Sequence, residues 1–449
     1  MEKAQLFMSR VEQALEAEKA WNPHVNAVIT SMADTARQEA EASDKAAAEG
    51  RWLGVLHGMT IAVKDNIDTA GTRTTMGSRF FAENVPNRDA PVVARVRRSG
   101  AMLTQKVTLH EFAFGVRSMS SLIGQCRNPW DVTRIPGGSS GGSAVAVATG
   151  MAAAALGTDT GGSVRIPAAM NGITGLRPTS GRVPNTGCFP VSSAHDTIGP
   201  MARSAANCAR LFAVIAGYDA DDPTSRDQPL ENFLPQLGEG IRGVRMGVVR
   251  NYYFDNVPDD RLRAVEAAIA QLEALGAIIT DVTLPGAGQV QDACAVMVYC
   301  DACHVHRDRL DQAEFWAPQT IERLRLGLTW SGVDYAASVR MKENWMRTLA
   351  RTFESVDILL TPTVPVDPPP HAEDRSLWEA TKAVAQNTYN GAFGHLPGIA
   401  VPCGFSAAGF PVSLQMEAAW WKEPLLLRAA HAYQEVTDWH LKRPGLPAA

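Results

Sequence analysis

Two hydrophobic rhythms organise the chain. Residues 3–20 place Phe7, Val11, Ala14 and Leu15 near helical spacing, and an Ala/Glu-rich stretch from about Ser31 to Glu49 predicts a second helix that stops at Gly50. The texture then changes. Met59–Val63 is a short apolar run between a glycine and a charged turn, which predicts a buried strand. Val92–Arg98, Gly100 and Met102–Val107 read as helix, turn and strand. Further along, Val244–Val249 predicts a strand, Asp260–Leu275 an amphipathic helix and Ala277–Val282 another strand. Val356–Thr361 runs into TPTVPVDPPP, whose prolines force an extended loop. GIAVPC, FPVSLQ and a helix from about Lys422 to His440 close the sequence.

Between Arg134 and Pro200 glycine, serine and proline are dense, yet apolar runs interrupt them, so tight turns threaded through core fit better than a linker. The longest of these runs, Val145–Gly157, falls well short of the ~20 apolar residues of a membrane span and reads as a buried core helix. No internal repeat is visible. Strands alternating with helices predict an α/β layered fold in a single domain over 1–449. Its parts are an N-terminal helical segment (1–50), a motif-bearing core (57–200) and the rest of the sheet with the pocket wall (240–449).

Composition removes several classes. Lys and Arg (42) are outnumbered by Asp and Glu (47), for a formal net charge of −5, so no nucleic-acid footprint exists. The charged N-terminal pattern is that of a helix and not of a signal peptide, and seven cysteines predict free thiols in a reducing cytoplasm.

The candidate chemistry lies in two Gly-Ser clusters, Pro136–Ser143 and Gly157–Ser163. Successive N–H groups of a Gly-rich turn can converge on a developing oxyanion, and a serine at its end can attack a carbonyl. Such clusters are also common structural loops. A phosphate loop would need a Lys after the last Gly, and the G-x-S-x-G elbow is absent too. None of the ten histidines stands in a triad context. The stronger base candidate is Lys64, which ends an apolar strand where desolvation would favour its neutral form, unless it snorkels to water.

The segments AVKDNI, TTMGS, NPWD, GGSSGGSA, GTDTGGSVRIPAA, GLRPTSGRVP, DTIGP, LLTPT and FPVSLQ, spanning residues 62–415, resemble the amidase-signature family in the family's order. The resemblance implies one large α/β/α domain whose central mixed twisted sheet is covered by helices on both faces. It implies Ser163 as nucleophile, Lys64 as ultimate base, and Ser139 as the bridge between them, held by a cis peptide after Gly138. Ser139 stands at the family's spacing from Ser163, whereas Ser140 and Ser143 do not. The N–H groups of Thr160, Gly161, Gly162 and Ser163 would form the oxyanion hole. Asp159 and Arg165 would brace the turn, with Ser140 bonding nearby backbone.

The implied enzyme is a monomer or homodimer that needs no metal or organic cofactor. Its substrate is a small amide, aryl amide or carbamate (urethane), with no nucleic-acid or membrane partner. The competing expectation is a non-catalytic or partner-dependent amidotransferase-like subunit. Against it, residues 296–310 read VMVYCDACHVHRDRL in place of the Ala-Glu-Ala-Ser-Ser-Asn-Leu stretch of the glutamyl-tRNA amidotransferase A subunit. Candidate pocket residues are Phe112, Phe114 and Met119, then Trp330, Tyr335 and Phe393; their convergence would favour an apolar or aromatic substrate group. Cys300, Cys303 and His304 match a haem-attachment spacing, with His306 adjacent, but helical periodicity accounts for this stretch and no metal is expected there.

Overall fold

The computed structural model describes residues 6–372 and 376–447. Its strands, in chain order, are β1 (Val28–Ser31), β2 (Thr60–Lys64), β3 (Met102–Val107), β4 (Met119–Ser120), β5 (Gly124–Gln125), β6 (Ala154–Asp159) and β7 (Thr174–Arg177). They continue with β8 (Thr197–Ala202), β9 (Arg245–Val249), β10 (Ile278–Val282), β11 (Ile358–Pro362), β12 (Gly398–Phe405) and β13 (Pro411–Ala418). Among the described residues, eleven of them form one mixed sheet in the order β1-β3-β2-β6-β8-β7-β12-β13-β11-β9-β10, while β4 and β5 make a separate short hairpin. This is the single large α/β domain that the resemblance implies.

Alternation along the strands divides the core into two layers. Ile61 and Val63 of β2 share a cluster with Val92, Val96, Leu211, Phe212, Leu272 and Leu426, from helices on one face. Ala62 points the other way, into a cluster with Ala155, Ala400, Ala144, Ala148 and Ala168. Small residues on both sides of that second interface let the helix Gly141–Thr149 lie close against the sheet, and every residue of it is buried. Gly142 is required there: a Cβ at this position would stand 2.4 Å from the Thr108 carbonyl oxygen.

Most predicted elements recur within a residue or two. The first helix runs Leu6–Val25, with residues 3–5 of the prediction outside the described residues. The second, Ala33–Ala48, begins after β1, which hydrophobic patterning had not separated from it, and Gly50 takes a left-handed φ of 75° just past its end. The final helix is shorter than expected, Glu423–Gln434, with a separate short turn at Trp439–Leu441. One reading is corrected. Val145–Gly157 is not a single buried helix: Gly150 adopts a left-handed φ of 84° that ends the helix at Thr149, and Ala154 opens β6. Alanine composition hid the break, because Ala suits a buried central strand as well as a helix when its neighbours leave little room. No helix among the described residues is long and apolar enough to cross a membrane.

Candidate active site

Parallel pairing of β2 with β6, Val63 opposite Leu156, brings the carboxyl ends of both strands together. In open α/β sheets that edge is where ligands bind. Lys64 closes β2 and is fully buried, so its ammonium cannot snorkel. Its Nζ lies 2.7 Å from Ser139 Oγ and 2.6 Å from Thr158 Oγ1, with no carboxylate at ion-pair distance among the described residues. Burial, opposed only by distant charges, brings the lysine down to about 7.

The Gly138–Ser139 peptide is cis. Ser139 is buried, and its carbonyl accepts from His110 N–H at 3.0 Å. Next to it, Ser140 N–H donates to the Ser163 carbonyl at 3.2 Å, tying the two Gly-Ser segments together. Ser140 Oγ also accepts from Thr158 N–H and donates to Thr158 O, both at 3.2 Å. Ser163 itself remains partly accessible, unlike Ser139 and Lys64.

Asp159 shapes the turn that presents Ser163. Its carboxylate accepts from Gly162 N–H at 2.8 Å and Val164 N–H at 3.2 Å, while Thr388 Oγ1 donates to the Gly161 carbonyl at 2.7 Å. Gly162 has a φ of 133°, and a Cβ there would stand 2.2 Å from Thr388 Oγ1. Because Gly162 N–H is committed to Asp159, the donors left without an acceptor among the described residues are those of Thr160, Gly161 and Ser163. Thr160 is held in turn by Asp196, which accepts its hydroxyl and, through the other oxygen, the N–H groups of Val191 and Ser192.

Beneath the turn lies a buried ion network. Arg165 Nε and Arg177 Nη1 each sit 3.1 Å from an Asp159 oxygen, and Arg165 also reaches Glu417 at 3.1 Å. Burial opposes ionisation of Asp159, but the two guanidiniums outweigh it and hold the carboxyl below the usual range. Asp159→Ala strips Arg177 of its carboxylate partner in a fully buried setting, and is expected to cost about 3–5 kcal/mol. Urea titration would measure this; a loss below about 1 kcal/mol would show that the turn does not depend on the network.

A narrow slot of about 30 Å³ opens at Ser163, lined by Phe114, Val116, Val191, Val298, Arg323 and Tyr389. Of the six residues expected at the pocket, Phe114 reaches it. Phe112 lies 5.2 Å from the Phe189 ring and 5.1 Å from Trp316 in a neighbouring aromatic cluster. Met119 pairs with Gln125 in the short hairpin. Trp330 packs edge-on against Tyr299, Tyr335 Oη donates to Asp301 at 3.0 Å, and Phe393 stacks on His195. Arg323, which sequence reasoning did not single out, occupies the slot instead. It is buried, donates to Tyr299 Oη and to Phe114 O, and its guanidinium lies 4.4 Å above the Phe114 ring. Thr158 and Asp196 were missed as well, although both fall inside quoted motifs. Arg323 carries no such signal, since it sits in an ordinary amphipathic helix, Pro318–Leu326.

The cysteine-histidine segment disperses. Cys300 Sγ faces the Gly327 carbonyl, His304 lies beside Arg307, and His306 stacks among Phe112, Phe189 and Trp316. Among the described residues no three His, Cys, Asp or Glu side chains gather in a metal-holding group.

A buried lysine–serine pair facing a Gly-Gly-Ser turn at the carboxyl edge of a mixed sheet defines a class of enzyme. The chain belongs to the amidase family, whose sequence model matches residues 9–427. Among curated proteins it is 39% identical over 455 residues to the A subunit of glutamyl-tRNA(Gln) amidotransferase from Roseiflexus sp. strain RS-1, covering 95% of this chain and 92% of that one. Among solved structures it matches an inhibitor-bound vestigial protein complex tied to the origins of an s-triazine catabolic enzyme, at TM-score 0.90 and 31% identity, over 95% of this chain and 94% of that one. It also matches native peptide amidase from Stenotrophomonas maltophilia at TM-score 0.85 and 29% identity, over 98% and 96%. The divergent VMVYCDACHVHRDRL segment therefore does not set the chain apart from the amidotransferase relatives as far as expected.

Proposed function

We propose that this chain hydrolyses the amide C–N bond of a small substrate through an acyl-enzyme on Ser163. The observation that carries the reading is the buried 2.7 Å contact between Lys64 and Ser139, next to an accessible Ser163. Neutral Lys64 takes the Ser139 proton as Ser139 takes that of Ser163, and Ser163 Oγ attacks the carbonyl. The N–H groups of Thr160, Gly161 and Ser163 receive the oxyanion, each such donor typically contributing about 3–4 kcal/mol. The proton returns through Ser139 to the departing nitrogen, and water then releases the acid.

Arg323 bears on the substrate class. A buried guanidinium without a carboxylate partner, in a slot whose other polar lining residues (Thr160, Ser163, Thr381 and Tyr389) are uncharged, favours an acyl group that brings its own negative charge. This moves the reading away from the purely apolar or aromatic group expected from Phe112, Trp330 and Phe393. The purified chain, with chelator present, would be assayed on an aryl amide, a short aliphatic amide, an aryl carbamate and the half-amide of a dicarboxylic acid. Release of ammonia should be fastest from the half-amide. Arg323→Met should raise KM for that substrate about 10- to 100-fold, the worth of one charge-assisted hydrogen bond, and change the neutral aliphatic amide less than about 3-fold. Equal effects on both substrates would remove Arg323 from recognition.

The curated relatives support a second reading, in which the same Ser163 chemistry runs inside an amidotransferase that needs partner chains. The isolated chain separates the two. Turnover without a partner, with a hydroxamate formed when hydroxylamine intercepts the acyl-enzyme, supports the free-standing hydrolase; silence on every substrate supports the partner-dependent reading.

A further inference from the structure

On the far side of the 191–196 turn lies a second cavity, of about 380 Å³, whose wall includes Ser180, Asp196, Arg226, Lys342, His395 and Trp421. Val191 faces the slot at Ser163, whereas Ser193, Ala194 and Asp196 face this one. The charge inside is unbalanced. Lys342, from the helix Gly332–Ser355, is 9% exposed, and its Nζ is placed 3.1 Å from His195 Nε2. Among the described residues no carboxylate stands at ion-pair distance from Lys342 or from Arg226 at the rim. The nearby acids are spent elsewhere. Asp196 turns its oxygens to Thr160 and to two backbone N–H groups, and Asp301 turns its own to Ser192 and Tyr335. Burial, helped by the Arg177 guanidinium, brings Lys342 down to about 8. His395, 2.8 Å from Ser180 Oγ, stacks parallel to His195; burial and the neighbouring Lys342 push both imidazoles below their usual range and keep them neutral, so the positive charge of this wall is that of Lys342 and Arg226. The indoles of Trp420 and Trp421 supply a flat apolar surface beside them.

A buried ammonium without an anion is costly, and a cavity that ends on it accepts a counter-charge. We infer that this cavity is a binding site for a small organic carboxylate with a flat apolar body, seated between Lys342 and Arg226 with its body against Trp420 and Trp421, and that its occupancy is felt at the oxyanion turn through Asp196. Asp196 is the shared element. It lines the cavity, and it also holds the hydroxyl of Thr160, whose N–H belongs to the donor set at Ser163. A carboxylate brought beside it disfavours its charge and loosens the hydrogen bond it accepts from Thr160. Amide hydrolysis releases carboxylates, so the ligand class matches what the proposed reaction produces. The binding site stands independently of the reading of Ser163, whereas the effect on turnover rests on it.

The probe is benzoate, with neutral benzamide and inorganic phosphate as comparisons, and calorimetric binding is measured on the Ser163→Ala chain. Benzoate should bind saturably and at least about 10-fold more tightly than either comparison. Lys342→Gln and Arg226→Gln, introduced separately, should each weaken it about 10-fold or more, while Arg323→Met should not. Arg226 is exposed, so its variant tests the site even if the Lys342 variant fails to fold. In the active chain, saturating benzoate should lower kcat with little change in KM. Benzoate binding that survives both charge substitutions, or is lost only with Arg323, would overturn the site. Phosphate binding as tightly as benzoate would overturn the ligand class, and binding without any change in kcat would overturn the coupling.

Discussion

Ser163→Ala should lower kcat by about 10⁴- to 10⁶-fold, the scale on which removal of a serine nucleophile disables an enzyme of this kind. The size follows from the architecture. Thr158, Ser140 and Thr160 already engage their hydroxyls in hydrogen bonds within the site, and Ser139 is buried, so among these neighbouring hydroxyls none is left free to replace that of Ser163. Substrate binding should survive, because Ser163 is one of many residues that line the slot, and Phe114, Val191 and Arg323 keep their places in its wall. The measurement is single-turnover acylation followed by mass spectrometry of the intact protein. An acyl adduct on the variant, or turnover within about tenfold of the parent, would refute the assignment.

The second large effect is that of Lys64→Met, expected to cost about 10²- to 10⁴-fold in kcat, the usual worth of a positioned general base. Methionine fills the same buried space and leaves the strand intact, so thermal stability should hold while activity falls. The pH profile is the sharper readout. With Lys64 at about 7, the competent neutral form accumulates as pH rises through that value, so kcat/KM should climb on the acid side and level off above it. In Lys64→Met the residual activity should lose that limb. A profile unchanged by the substitution would assign the proton transfer elsewhere. The depression also couples to folding. The unfolded chain keeps this proton up to about pH 10.4, so between that pH and about 7 the unfolded state binds more protons, and raising the pH favours the folded chain.

What the sequence disclosed followed from how local each signal is. Lys64 is legible because a charge at the end of TIAVK contradicts the strand around it; the two Gly-Ser clusters are legible because their glycines are adjacent in the chain, but only the family resemblance singles out Ser163 and, by its spacing, Ser139. Gly162 was read as an oxyanion donor from the same motif, yet its N–H goes to Asp159, a choice made by the turn's three-dimensional path. The pocket wall was least legible. Phe112 and Phe114 stand two positions apart after one strand, but positive φ values at Phe112 and Ala113 send the two rings to different places. Arg323 comes from a helix far along the chain, and nothing in its own neighbourhood distinguishes it from the arginines facing water.

The ion network has a further meaning for how the chain folds. Arg165 clasps Asp159 six residues away and Glu417 at a separation of 252, and β12 and β13, the last strands in chain order among the described residues, lie inside the sheet and not at its rim. A chain that holds Lys64, Ser139 and Ser163 but lacks β12 and β13 would therefore lack the carboxylate of Glu417 beneath the turn. Until these two strands insert between β7 and β11, the nucleophile's turn lacks that anchor and the sheet lies open at its middle. Local pairing therefore cannot complete this sheet: its middle closes only through contacts between segments far apart in the sequence, the kind of topology whose loop-closure entropy slows folding.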